Sequence, residues 1–123
     1  MLLIDAANVI GSRPDGWWRD RPGAARKFLE RLRSAVHAGR LDEPVVVVLE
    51  GKARDGAEPN ADNGVTVVHA PGSGDDTVVS VIADSDADVT LVTSDRELRR
   101  RAEALGAQVV SPGWLIRRLD EGG

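Results

Sequence analysis

The sequence contains no cysteine and no long apolar segment among its 123 residues. Without thiols the chain can form neither disulfides nor thiolate zinc sites. No apolar run approaches the roughly 20 residues that span a bilayer, so we expect no membrane association. The apolar run at the amino terminus ends at Asp5, which makes it too short for a secretory signal. Together these absences favour a cytosolic location.

Several familiar catalytic signatures are missing as well. There is no phosphate-loop motif or Rossmann glycine fingerprint, and no Ser-His-Asp arrangement can be drawn. His37 and His69 fit ordinary positions on a helix and at a strand edge. With 41% hydrophobic and 29% charged residues, and no repeats or linkers, the chain is typical of a soluble globular protein. Its length predicts one domain, residues 1–123.

The charge balance does not by itself indicate nucleic-acid binding, because the net charge is −4 and the pI about 5.1. Fourteen of the sixteen basic residues are arginine, however, and most lie in three groups: Arg13, Arg19, Arg21 and Arg26; Arg96, Arg99, Arg100 and Arg101; Arg117 and Arg118. The planar guanidinium fork binds phosphate with two hydrogen bonds. These groups are either phosphate-binding surfaces or solvated helix faces.

Short apolar runs alternate with amphipathic segments along the chain. The runs predict strands at Leu2–Ile4, Val45–Leu49, Val65–Val68, Val89–Val92 and Gln108–Val110. Helices are predicted at about 24–38, from Asp75 past Ile82, at about 96–105 and at 112–119. Residues 12–23 are predicted to be a loop. This alternation predicts a three-layer α/β/α fold with a mostly parallel central sheet of about five strands.

Acidic residues follow the strands or open the helices of this predicted sheet. The set comprises Asp5, Glu50, Asp75, Asp76 and Asp95. In a right-handed α/β sheet these positions share the carboxyl edge, where ligand sites form. Converging carboxylates repel one another unless a cation is present. Oxygen ligands of this kind suit Mg²⁺ or Mn²⁺ rather than zinc, so the pattern predicts a metal site.

Each acid also has a purely structural interpretation. Asp5 would cap the following turn, Asp75 or Asp76 would cap the mid-chain helix, and Glu50 would simply end a strand. Asp95 would cap the next helix with help from Ser94. The joint occurrence of the acids at one edge favours the metal site over these separate explanations. Asn8 would then orient a water or a carboxylate, since an amide both donates and accepts.

Three segments, residues 5–11, 72–79 and 92–98, resemble in order the motifs of the PIN-like nucleases, particularly the NYN branch. The resemblance implies a PIN-like fold and a metal-dependent endoribonuclease that hydrolyses single-stranded or structured RNA with Mg²⁺ or Mn²⁺. It implies metal ligands at Asp5, Asp76 (or Asp75) and Asp95, with Asn8 beside the first. Glu50 stands where related chains tend to have an aspartate, and Glu30 is a weak candidate for a further helix-borne acid.

The loop after the first strand is the predicted place for substrate contacts. Trp17 in this loop would stack on an unpaired base, although at least one of the two neighbouring tryptophans is expected to pack over the first helix. Arg13 would follow the phosphate backbone. Arg96 and Ser94 flank Asp95, where they would meet the scissile phosphate.

Two other functions remain open at this point. One is a non-catalytic RNA-binding module on the same fold, which the acidic pI favours. The other is a haloacid-dehalogenase-like phosphatase, whose nucleophile motif requires a second acid where this chain has Ala7. Its paired acids also follow the Ser/Thr motif, whereas here they precede Ser94. The sequence leaves open whether the protein is a monomer or a weak dimer.

Overall fold

A twisted, mostly parallel sheet forms the centre of the structure, a computed structural model that describes residues 1–12, 16–62 and 64–120. Its strands are β1 Leu2–Asp5, β2 Val45–Leu49, β3 Ala61–Asp62, β4 Val65–His69, β5 Thr90–Val92 and β6 Gln108–Val110. Their order across the sheet is β3-β4-β2-β1-β5-β6, and only the two-residue β3 runs antiparallel to its neighbour. The predicted α/β fold with about five parallel strands is confirmed.

Helices cover both faces of the sheet. They are α1 Ala6–Ile10, α2 Arg21–His37, α3 Gly74–Asp84, α4 Arg96–Ala104 and α5 Pro112–Asp120, with 3₁₀ turns at Trp17–Arg19 and Gly51–Gly56. Because side chains alternate along a strand, Leu2 and Ile4 of β1 pack with α1, α2 and α5, whereas Leu3 packs with α3 and α4. The result is the predicted three-layer arrangement. In the described part of the chain, no helix has the length and apolar character needed to cross a membrane.

Strand β1 occupies the position where the order of the strands reverses. The chain proceeds from β1 through β2 to β4 on one side, then returns to place β5 and β6 on the other. Ile4 lies between Val47 of β2 and Val92 of β5. Open α/β sheets form their ligand sites at the carboxyl ends of the strands beside such a reversal. This topology therefore puts Asp5, the last residue of β1, at the centre of the expected site.

The described residues between β1 and α2 contain two elements that were not expected. Helix α1 and the turn Trp17–Arg19 were not predicted, and α2 begins at Arg21 rather than at Ala24. The earlier start has a local cause, because the Asp20 carboxylate accepts a hydrogen bond from the Gly23 N–H at 2.9 Å. Pro22 in the first turn is compatible with this start, since no hydrogen-bond donor is required there.

Candidate carboxylate site

Asp5 is buried at the end of β1, with only 3% of its surface exposed. One of its oxygens, Oδ2, accepts hydrogen bonds from Asn8 Nδ2 at 2.7 Å and from Thr93 Oγ1 at 3.2 Å. Although Asp5 precedes α1, its side chain makes no capping hydrogen bond to that helix. The structural interpretation of Asp5 as a cap is therefore wrong. Its carboxylate is directed instead at the edge of the sheet between β1 and β5.

Hydrogen bonds extend from Asp5 to the loop after β5. Ser94 Oγ donates to Asn8 Oδ1 at 2.6 Å, and the Asp95 N–H donates to Thr93 Oγ1 at 3.2 Å. Thr93 is nearly as buried as Asp5. Sequence reasoning missed this threonine, although its place directly after β5 puts it at the same sheet edge as Asp5. These bonds fix the orientation of Asp5 and Asn8.

The negative charges of three further acids, Glu50, Asp75 and Asp95, influence pKa values at this edge. Burial raises the pKa of the Asp5 carboxyl above its ordinary value, and the negative charges of Asp75 and Glu50 raise it further, against the two hydrogen bonds. The pKa of Asp75 is also raised, by burial first and then by the charges of Asp95 and Glu50. The structure thus brings together Asp5, Glu50, Asp75 and Asp95. Within the part of the chain that the structure describes, the side chains that shift the pKa of Asp5 are Asn8 and Thr93, which lower it, and Asp75 and Glu50, which raise it.

Two of these acids accept hydrogen bonds from backbone N–H groups. Glu50 Oε2 accepts a hydrogen bond from the Gly74 N–H at 2.6 Å, which fixes the start of α3. Asp95 Oδ1 accepts one from the Leu98 N–H at 2.9 Å, so Asp95 does cap α4 as its structural interpretation predicts. The cap of α3 is Ser73, whose hydroxyl accepts from the Asp75 N–H. The side chain of Asp75 is therefore left for another role.

Asp76 lies apart from this group despite its place next to Asp75. Its side chain is 78% exposed and pairs with Arg101 at 3.1 Å. Neighbouring residues on a helix point about 100° apart, so only one of the two acids can face the edge of the sheet. That residue is Asp75, whereas the sequence analysis gave first place to Asp76.

The donor set fits a hydrated divalent cation better than a closed cage. Among residues 1–12, 16–62 and 64–120, no three His, Asp or Glu side chains are close enough to hold a metal ion together. Mg²⁺, however, keeps several waters in proteins and binds through one or two carboxylates. Asp5 and Asp75 supply such oxygens, and a cation would offset the burial and the like charges that raise both pKa values, as Arg101 already does in part for Asp75.

The predicted substrate residues have different surroundings. Trp17 is half-buried and lines a cavity against α2, whereas Trp18 is 52% exposed, so the expectation that one tryptophan packs over this helix is met. Ser94 and Arg96 are exposed beside Asp95. Glu30 is exposed on α2 and is not among the groups that act on Asp5. Arg13 lies outside the described residues.

Comparison with solved structures identifies proteins of the same fold. Two crystal structures of Rae1 (YacP) from Bacillus subtilis, one of them a single-residue mutant, each superpose with a TM-score of 0.68. The matches cover 97% and 98% of this chain and 74% and 73% of the other, at 18% and 17% sequence identity. No protein-family model matches this chain, and no curated protein sequence does. The comparisons therefore show a fold shared with Rae1.

Proposed function

We propose that this protein is a metal-dependent endoribonuclease that binds Mg²⁺ or Mn²⁺ through Asp5 and Asp75. The observation that carries the proposal is the buried Asp5 carboxylate, whose pKa is raised by burial and by the nearby charges of Asp75 and Glu50. Burying a carboxylate is unfavourable unless hydrogen bonds or a cation compensate its charge, and carboxyl groups with a shifted pKa are concentrated at functional sites. The Rae1-like fold and the three NYN-like sequence segments support RNA as the substrate.

The side chains around Asp5 have distinct roles in this proposal. Asn8 and Thr93 hold the Asp5 carboxylate in one orientation, and Ser94 in turn holds the Asn8 amide. Asp95 remains close to Asp75 while it caps α4. Glu50 positions Asp75 by anchoring the start of α3. The proposed ligands therefore lie on rigid elements, which is what precise metal placement requires.

The proposed reaction is hydrolysis of an RNA phosphodiester. A bound divalent cation would supply a water of lowered pKa and would neutralise charge on the phosphate. The water oxygen bonds to phosphorus, the bond from phosphorus to one ribose oxygen breaks, and that oxygen takes up a proton. Arg96, exposed at the start of α4 next to Asp95, is placed to contact the phosphate.

Cleavage of end-labelled RNA tests the proposal. We expect fragments in the presence of Mn²⁺ or Mg²⁺, none after chelation with EDTA, and none from the Asp5→Asn variant. The matched control is Asp84→Asn, which removes an exposed acid at the far end of the same helix as Asp75. Equal cleavage by wild type and Asp5→Asn, or cleavage that survives EDTA, would contradict the proposal.

A non-catalytic RNA-binding module is the second candidate. It is favoured by the absence of any ready-made group of three metal-binding side chains in the described residues. The same assay separates the two functions when binding is measured alongside cleavage. RNA that is retained but stays intact at every metal concentration would support the binding module and exclude the nuclease.

A further inference from the structure

A cleft of about 350 Å³ adjoins the carboxylate site. It is lined by Ala6 and Ile10 of α1, by Trp17 and Arg21, and by Glu50 and Gly72. Ala6 directly follows Asp5 in the chain, and Glu50 acts on the pKa of Asp5. The cleft therefore shares Glu50 with the carboxylate site and lies beside it. Its volume is within the range of roughly 300–1,000 Å³ that is usual for pockets that bind small organic groups.

The lining of the cleft suits a flat ring. Its walls include alanine and glycine residues, which leave open space beside the half-buried Trp17 indole. The indole is held in place from two sides. The Trp18 ring meets it edge to face, with centroids 6.1 Å apart, and the Arg21 guanidinium lies 5.5 Å from its centroid. Unpaired bases stack on both aromatic rings and guanidinium planes.

We propose that this cleft is a subsite for one unpaired base of the RNA, next to the phosphate that is cut. The inference rests on the proposed function, because it places the base beside the carboxylates that would hold the metal. Trp17 contacts the base, and Arg21 either stacks on it or meets the adjoining phosphate. Glu50 forms the boundary between the base and the metal site. Trp17 is assigned to the base because it lines the cleft, whereas the more exposed Trp18 is not among the lining residues.

Fluorescence of Trp17 tests the subsite without any need for catalysis. In a Trp18→Phe/Trp114→Phe variant, Trp17 is the only tryptophan of the chain. We expect saturable quenching by AMP, GMP, CMP or UMP and none by ribose 5-phosphate, which carries no base. Free N-acetyltryptophanamide corrects for absorption by the nucleotide. The absence of saturable quenching by all four nucleotides would overturn the subsite.

A second variant tests the place of binding. Gly72 has an ordinary backbone conformation, and a Cβ at this position would meet no atom within 4 Å. Gly72→Leu therefore adds a bulky side chain at the lining of the cleft with no clash at its Cβ, and we expect it to weaken the affinity measured by quenching by about tenfold or more. Gly113→Leu, on the exposed side of α5, is the matched control. Equal effects of the two leucines would also overturn the proposal.

The fluorescence assay tests the subsite and the cleavage assay tests the nuclease, so either proposal can be contradicted without the other. Quenching by nucleotides without any RNA cleavage would retain the subsite and exclude the nuclease. Cleavage without quenching would retain the nuclease and exclude the subsite. If both hold, Trp17→Ala should raise the KM for RNA by about tenfold, with a smaller effect on kcat.

Discussion

Asp5 is the residue at which stability and the proposed function oppose each other. Its burial and the charges of Asp75 and Glu50 favour the protonated form, while the bonds from Asn8 and Thr93 favour the ionised form. The net result is a raised pKa in the folded protein. Below about pH 3.9, the ordinary pKa of an aspartate in an unfolded chain, Asp5 is protonated and its burial does not reduce the stability. As the pH rises through the pKa that Asp5 has in the folded protein, this contribution to the folding free energy is lost.

We therefore expect Asp5→Asn to melt at a higher temperature than the wild type at pH 7. Asparagine keeps an oxygen acceptor for Asn8 and Thr93 but carries no charge. The difference should shrink as the pH falls towards 4, because wild-type Asp5 then becomes neutral as well. Each 1 kcal/mol corresponds to about 4 °C in a domain of this size. Thermal unfolding followed by circular dichroism between pH 4 and 8 measures the difference, and a constant or negative value would contradict this explanation.

The neighbouring acids of α3 provide a second residue-scale prediction. Asp75→Asn should weaken Mn²⁺ binding and RNA cleavage by at least about tenfold, because Asp75 faces the carboxylate group. Asp76→Asn should change either quantity by less than about threefold, because Asp76 pairs with Arg101 at the surface. Calorimetric titration with Mn²⁺ and the cleavage assay measure both variants. The opposite ranking would restore Asp76 as the ligand.

At the scale of elements, the start of α3 depends on Glu50, the residue that directly follows β2. The Gly74 N–H is satisfied by Glu50, and Gly74 is buried against that carboxylate. A Cβ at this position would stand 3.1 Å from Glu50 Oε2, closer than side chains normally approach. Glycine therefore permits the contact that sets the position and rotation of α3. That rotation in turn decides which acid of the helix faces Asp5.

Two substitutions of Glu50 distinguish the effect of its hydrogen bond with the Gly74 N–H from the effect of its negative charge. Glu50→Ala should lower the free energy of unfolding by about 1–3 kcal/mol, because it leaves the Gly74 N–H without a partner. Glu50→Gln should lower it less, because the amide oxygen still accepts. Both should lower the pKa of Asp5 and Asp75, since both remove a negative charge that raises those values. Chemical denaturation and carboxyl NMR titration provide the measurements, and unchanged pKa values would exclude Glu50 from the site.

At the scale of the whole molecule, the unbroken apolar runs predicted the sheet well, because a run such as Val45–Leu49 is typical of a parallel strand that is buried on both faces. Helix α1 and strand β3 were missed because five and two residues are too few for a periodicity. The choice between Asp75 and Asp76 depends on the rotation of α3, which a local pattern does not contain. The hydrogen bond from the Thr93 hydroxyl to Asp5 likewise cannot be predicted from any periodicity in the sequence.

The arginines of α4 are less available for RNA than their number suggests. Arg99, Arg100 and Arg101 form ion pairs with Glu103, Glu97 and Asp76, whereas Arg96 has no ion pair among the described residues. We therefore expect Arg96→Ala to weaken the salt dependence of RNA binding. The slope of log K against log salt should become shallower by about 0.7, the value for one phosphate contact to a single strand. Arg100→Ala should leave the slope unchanged. Fluorescence anisotropy with labelled RNA at 50–300 mM salt measures both, in a range where phosphate contacts dominate. Equal slopes for the two variants would remove Arg96 from the RNA interface.

The pairing of β1 with β5 has a consequence for the order in which the molecule assembles. Asp5 and Thr93 are 88 positions apart, and one side of β1 acquires its neighbour only when β5 arrives. Closing so large a loop is entropically slow. A partly synthesised chain that has formed β1 and β2 therefore lacks both the β5 neighbour and the Thr93 hydrogen bond of Asp5. The surroundings of Asp5 are therefore completed only when the second half of the sheet has docked.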